Sequence, residues 1–298
     1  MEQVTGVVPG SGPVAVTTWV HDIAPGEWDT TAEIVGPEWA RLAHHGKPLP
    51  AVSWSWRRWS MAATTPGAVH TRRALLAPFA AIPAVLPGSF TLLAVVAIIG
   101  AFATQVPLLG QSGVDVGSGI AASLAGLVVG IAGAKAWYMA LKGASIATLK
   151  EGWSVDGFLV AAPLAAVLAA LGTGTPLGPY LDAITPGIFV AVAIGRVGCF
   201  LTGCCTGRWT ASRWGVWSSD RRVGARRIPA QLIESATGIV LAIVSAAAVL
   251  GQPSGGRGFA FVGAVGAYAI ARQVLLRMRA ESRRFSWQRS RTAAQAGA

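Results

Sequence analysis

Four stretches of this chain run for about 18 residues or more without a charged side chain, and two of them are longer than a bilayer crossing requires. The runs are continuously apolar, so they read as membrane helices. Of the 298 residues, 53% are hydrophobic and 12% charged, where a globular chain carries roughly 25% charged residues. A secreted scaffold, a coiled coil and a disordered chain are therefore excluded. All three cysteines fall between residues 199 and 205, which cannot make a disulfide framework. The expected fold class is all-α, a polytopic membrane protein with six or seven transmembrane helices.

Composition divides the chain into a polar N-terminal extension (1–73), a transmembrane helical domain (74–279) and a basic C-terminal tail (280–298). The extension is rich in Pro, Gly and Trp and lacks the pattern of a signal peptide. It reads as partly disordered, with Trp54, Trp56 and Trp59 around Arg57 and Arg58 either resting at the membrane interface or doing no chemistry. Pro87 and Gly88 break the first apolar stretch into two helices or one interrupted span. Further spans are expected near 117–141, 157–171, 183–204, 232–251 and 258–276. Gly126, Gly130 and Gly133 mark a face where helices approach closely. No repeat of 20 to 50 residues is visible, which argues against a transporter built from duplicated halves.

Residues 205–298 hold fourteen bases and three acids, while the rest of the chain is balanced, so the whole net charge of +11 lies in one loop and the tail. Basic segments beside a bilayer favour anionic head groups by about 1 kcal/mol per Lys or Arg. Nucleic acid asks in addition for aromatic platforms on a folded basic domain, and is not expected as a partner.

Arg196 ends a span that is free of other charge from Ala183 onward. An ionisable side chain at a helix centre costs about 2.5–3.5 kcal/mol, so Arg196 either faces a polar cavity or snorkels to the head groups. Lys135, Asp156, Glu234 and Arg272 also stand in apolar surroundings. They form either a functional cluster at one depth or internal ion pairs that orient helices. Zinc would require a fourth ligand, and no histidine lies beyond residue 70. No metal site and no cofactor are expected. Cys199, Cys204 and Cys205 read best as small residues in a tight glycine-rich turn, ahead of an acidified thiol or a strained disulfide.

The stretch Gly195-Arg196-Val-Gly198-Cys199-Phe-Leu-Thr-Gly203-Cys204-Cys-Thr-Gly207-Arg208 is followed by Trp214-Gly215-Val-Trp217 and by Arg227-Ile-Pro229-Ala-Gln231-Leu-Ile-Glu234. Together these resemble the prolipoprotein diacylglyceryl transferase family, whose signature reads Gly-Arg-x-Gly-Asn-Phe-x-Asn-Gly-Glu-x-x-Gly-Arg, then His-Pro-x-Gln-Leu-Tyr-Glu. Gly133-Ala-Lys135 with Tyr138, Ser154-Val-Asp156-Gly157 and Tyr268-Ala-Ile-Ala-Arg272 extend the resemblance over residues 117–279. This chain departs from the pattern at Lys135 (Arg in the family), Asp156 (His), Cys199 (Asn), Cys204 (Glu), Ile228 (His) and Ile233 (Tyr). A cysteine-rich signature occurs in a divergent branch of the family. Residues Arg277 to Ala298 stand where the family has a further span.

The resemblance implies helices around a polar lipid-binding cleft in the bacterial cytoplasmic membrane. It also implies transfer of a diacylglyceryl group from phosphatidylglycerol, or another anionic phospholipid, to the lipobox cysteine of a prolipoprotein. A guanidinium offers a planar fork to phosphate and stays charged in an apolar site, which assigns Arg196 and Arg272 to the leaving phosphate. Glu234 or Asp156 is left to take the thiol proton. Substrate contacts are expected from Lys135, Tyr138, Gly195, Gly198, Gly203, Gly207, Arg208 and Gln231. The alternative is a non-catalytic member that binds or presents anionic phospholipid; a channel or transporter fits the single asymmetric polar cluster least. The family orientation puts the signature on the outer face, whereas the positive-inside rule asks for the arginines from Arg208 to Arg227 in the cytoplasm. The family orientation is the one expected here.

Overall fold

The computed structural model describes residues 84–86, 88–143, 152–251 and 257–280, together with seven short strand segments between residues 15 and 71. The tail beyond residue 280 lies outside the described residues, as do most of the extension and the side chains of its Trp/Arg cluster. Two compact units are present. One comprises residues 91–198 and 232–277, the other residues 1–90, 199–231 and 278–298.

Six helices are long and apolar enough to cross a membrane. They are α1 (Ser89–Gln111), α2 (Val116–Lys142), α3 (Val155–Gly172), α4 (Leu177–Leu201), α5 (Ala230–Leu250) and α6 (Phe259–Met278). With 298 residues and six such helices, the chain is a multi-pass membrane protein, and the expected six or seven spans resolve to six among the described residues.

Local chemistry fixes where these helices begin. Gly88, at φ +77°, releases the chain into α1, where the Pro87–Gly88 break was expected. The Asp115 carboxylate accepts from Ser118 N at 2.7 Å and starts α2; the Ser154 hydroxyl accepts from Gly157 N at 3.4 Å and starts α3. Each side chain satisfies a backbone N–H that has no partner within its own helix.

Helices α2 and α3 pack through the small residues that the sequence displayed. A Cβ built at Gly126 would lie 2.9 Å from Ala162 O, and one at Gly130 would lie 2.6 Å from Ala162 Cβ. Glycine at these positions lets two backbones meet where lipid offers no hydrophobic drive to association. Elsewhere in this unit Leu109, Ala122, Ala170, Tyr180, Ala183 and Val249 share a buried cluster, and Phe189 packs edge-on to Tyr268 with ring centres 5.6 Å apart.

Asp182, 1% exposed on α4, organises the start of α6 from 76 residues away. Its two carboxylate oxygens accept from Gly258 N and Phe261 N, each at 2.9 Å. It is an N-cap supplied in trans, and the positive end of the α6 dipole favours its charge.

Strands β1 (Ala15–Val16), β2 (Gly26–Trp28), β3 (Ile34–Val35), β4 (Arg41–Ala43), β5 (Val52–Ser55), β6 (Ser60–Ala63) and β7 (Val69–Thr71) precede the helices. Strands β8 (Val216–Ser219) and β9 (Val223–Arg227) form an antiparallel hairpin between α4 and α5, and β1 adds to it in the order β1-β9-β8. The mostly helical fold thus carries a small sheet that the hydropathy pattern does not announce.

Replacing Asp182 by Ala leaves the Gly258 and Phe261 N–H groups at the start of α6 without their acceptor and should cost about 2 kcal/mol. Melting of the purified protein in detergent, followed by intrinsic fluorescence, should show a lowered midpoint that Asp182→Asn partly restores.

Candidate active site

Three helices place three ionised side chains at one level. Arg196 lies five residues before the end of α4, Glu234 four residues after the start of α5, and Arg272 six residues before the end of α6. At 1.5 Å per residue these positions are about 6 to 9 Å inside their helix ends. Consecutive spans alternate in direction, so those three ends lie on the same side of the membrane.

The three side chains meet on a single oxygen. Glu234 Oε1 accepts from Tyr268 Oη at 2.6 Å and from Arg272 Nη1 at 2.9 Å, and lies 3.0 Å from Arg196 Nη2. The Glu234 side chain has no exposed surface, whereas Arg196 and Arg272 keep 15% and 19% of theirs. An anion arriving at this cluster therefore meets the guanidiniums and not the carboxylate. Two guanidiniums and one carboxylate leave a surplus of one positive charge where hydrocarbon surroundings resist any charge. Tyr268 was not among the expected site residues. Its position four residues before Arg272 places both on one helix face, and that spacing is the signal that could have found it.

A second polar group forms where the end of α2 meets the start of α3. Lys135 Nζ donates to Gly152 O at 3.2 Å and lies 4.9 Å from the centre of the Trp153 ring and 5.7 Å from that of Tyr138. Lysine here sits between two aromatic faces, an arrangement that favours a cation. Asp156 occupies the second position of α3, and its neighbour Gly157 abuts Gly133 so closely that a Cβ there would lie 2.5 Å from Gly133 O. Trp153 is the member of this group that sequence reasoning missed.

The signature loop after α4 is held by backbone contacts. Cys204 N donates to Cys199 O at 3.0 Å, and Cys205 adopts φ +54°. Gln231, 2% exposed, donates from Nε2 to Cys204 O at 2.8 Å. Gly203 stands at φ +67°, with Ser219 O 2.5 Å from where its Cβ would be, and a Cβ at Gly207 would run into Ile228 O. These two glycines, expected as substrate contacts, have packing reasons for being glycine. Gly195 has open space where its Cβ would point, one residue before Arg196, and Gly198 lies in the last turn of α4. Arg208 is exposed, and its N donates to Met278 O at 2.9 Å.

A hydrogen bond with Cys199 pulls the Cys204 thiol down, but its contact with Cys205 and burial outweigh that pull and raise it above the ordinary thiol value. A shift in that direction disfavours the nucleophilic thiolate. Within the hairpin Arg227 is a staple, 1% exposed: Nη2 donates to Asp220 Oδ2 at 2.7 Å and to Val223 O at 3.1 Å. Burial pushes its guanidinium below the usual arginine value, and Asp220 opposes that shift.

A family model described as prolipoprotein diacylglyceryl transferase matches residues 82–296. Curated proteins named phosphatidylglycerol–prolipoprotein diacylglyceryl transferase are similar over shorter stretches. That of Dehalococcoides mccartyi is 34% identical over 88 residues, covering 28% of this chain and 34% of that protein. That of Mycobacteroides abscessus is 36% identical over 80 residues, covering 27% and 23%. That of Clostridium tetani is 26% identical over 130 residues, covering 40% and 52%. The chain therefore spans about half or less of the length of each of these relatives.

Gly207→Ala should destabilise the protein by about 1–3 kcal/mol through overpacking against the Ile228 carbonyl, while Gly195→Ala should leave the melting midpoint unchanged. Parallel thermal melts of the two variants in detergent check this contrast.

Proposed function

The chain belongs to the prolipoprotein diacylglyceryl transferase family, and we propose that it transfers the diacylglyceryl group of phosphatidylglycerol to the lipobox cysteine thiol of a prolipoprotein. The observation that carries this is the pair of partly exposed guanidiniums, Arg196 and Arg272, joined by one fully buried carboxylate. In the reaction the carbon–oxygen bond between diacylglycerol and phosphate breaks and a carbon–sulfur bond forms. The thiol proton leaves with a base, and the phosphate departs as glycerol phosphate with an added negative charge.

Arg196 and Arg272 stabilise that departing charge. Cations aimed at the place where charge develops, in a site poor in water, act most strongly in the transition state. Glu234 keeps the two like charges together: without it they would repel, and each would bear its desolvation cost unaided. Tyr268 fixes the carboxylate through its 2.6 Å hydrogen bond. The thiol proton goes to Glu234, whose Oε1 accepts from Tyr268 and Arg272 and pairs with Arg196, or to Asp156, at the position where the family carries histidine. Lys135 and Tyr138 assist in binding the lipid head group. Glycerol phosphate leaves toward the outer face of the bacterial cytoplasmic membrane, where the acceptor lipobox is presented.

Arg196→Ala should abolish transfer of labelled diacylglycerol to a lipobox peptide in membranes; full activity in that variant would refute the phosphate assignment. Glu234→Gln keeps the shape and removes the charge, and should lower kcat by about a hundredfold or more. Phosphatidylglycerol that copurifies with the wild type without product would instead support a lipid-binding member that lacks transfer. A cysteine introduced at exposed Ser212 should react in intact cells with a membrane-impermeant maleimide; labelling only after permeabilisation would reverse the orientation.

A further inference from the structure

The hairpin between α4 and α5, with the segment 208–215 that leads into it, presents a surface apart from the Arg196–Glu234–Arg272 cluster. Its outward residues are aromatic and cationic. Trp214 is 75% exposed, with the Arg213 guanidinium 5.0 Å from its ring centre, and Val216 and Trp217 are each 37% exposed. Arg208 and Arg222 are also exposed, and residues 205–227 carry six arginines against the single acid Asp220.

That acid is spent internally. Asp220 Oδ1 accepts from Arg222 N at 3.0 Å and Val223 N at 2.6 Å and so builds the turn, while Oδ2 pairs with buried Arg227 at 2.7 Å. Arg221 Nε donates to Thr202 O at 2.8 Å and ties the turn to the end of α4. The hairpin is therefore a braced element, and its exposed charge is positive. Both its ends continue into membrane-spanning helices, α4 ending at Leu201 and α5 starting at Ala230, which keeps it near the head groups.

We propose that this hairpin is a docking surface for the anionic head-group layer of the bilayer, with Trp214 and Trp217 seated at the interface and Arg208, Arg213 and Arg222 gathering acidic phospholipid. An indole is suited to the boundary between acyl chains and water, and arginine beside it adds attraction to phosphate. A nucleic acid or an acidic peptide would answer the charge but would not require that the aromatic side chains reach apolar surroundings. The surface is separate from Arg196, Glu234 and Arg272 in function: it holds lipid near the protein and takes no part in bond breaking.

The test uses the full chain in nanodiscs of phosphatidylglycerol and phosphatidylcholine, with lipids brominated near the top of the acyl chain. The Trp214 signal is the fluorescence of the wild type minus that of Trp214→Phe. It should be blue-shifted, quenched by brominated phosphatidylglycerol and shielded from iodide. Its preference for brominated phosphatidylglycerol over brominated phosphatidylcholine should fall about fivefold for each arginine removed in Arg213→Gln and Arg222→Gln. A Trp214 signal that iodide quenches and brominated lipid does not would overturn the proposal, as would equal quenching by both lipids. Circular dichroism confirms that the variants keep their helices. Arg196→Ala should retain the full Trp214 quenching, so loss of this lipid contact and failure of the phosphate assignment are read independently.

Discussion

One carboxylate oxygen, Glu234 Oε1, holds the site together. Two guanidiniums facing each other inside a bilayer would repel, and each would be expensive to bury. A single acid between them offsets much of that cost and still leaves one positive charge over. Tyr268 adds a neutral donor to the same oxygen without changing the balance. The result is a cationic locus whose acid is hidden and whose bases stay partly exposed, a distribution suited to an arriving anion.

The fold serves this locus by bringing three helices to one level. Alternating spans put the end of α4, the start of α5 and the end of α6 on the same side, so Arg196, Glu234 and Arg272 need no loop to carry them there. Asp182 fixes where α6 begins, and with it the register of Tyr268 and Arg272 along that helix. The glycine face of α2 against α3 sets a second rigid pair, at whose end Lys135 meets Trp153 and Tyr138. Sites built on packed helices hold geometry better than sites on loops.

Much of this was legible in the residues. Uncharged runs gave the spans, Gly126, Gly130 and Gly133 gave a close helix contact, and isolated charges near span ends pointed to a shared depth. What stayed hidden depends on contacts distant in sequence. Nothing near Asp182 announces that its acceptors cap a helix 76 residues away. The β8–β9 hairpin escaped because its strands lack the apolar–polar alternation by which strands are recognised: the buried pair of β8 is Ser218 and Ser219, and β9 ends on a buried Arg227. Gly203 and Gly207, expected as substrate contacts, also have a packing reason that a motif does not show: the carbonyls of Ser219 and Ile228 lie against the place where a Cβ would stand.

The departures at Cys199, Cys204 and Asp156 put the emphasis on catalysis itself, the step that separates the proposed transferase from a lipid-binding member. The most direct measurement is mass spectrometry of a lipobox peptide incubated with the purified wild-type protein and phosphatidylglycerol. Transfer predicts a peptide heavier by one diacylglyceryl group on its cysteine sulfur, with glycerol phosphate released in equal amount. An unmodified peptide, alongside phosphatidylglycerol bound to the protein and intact, would contradict it.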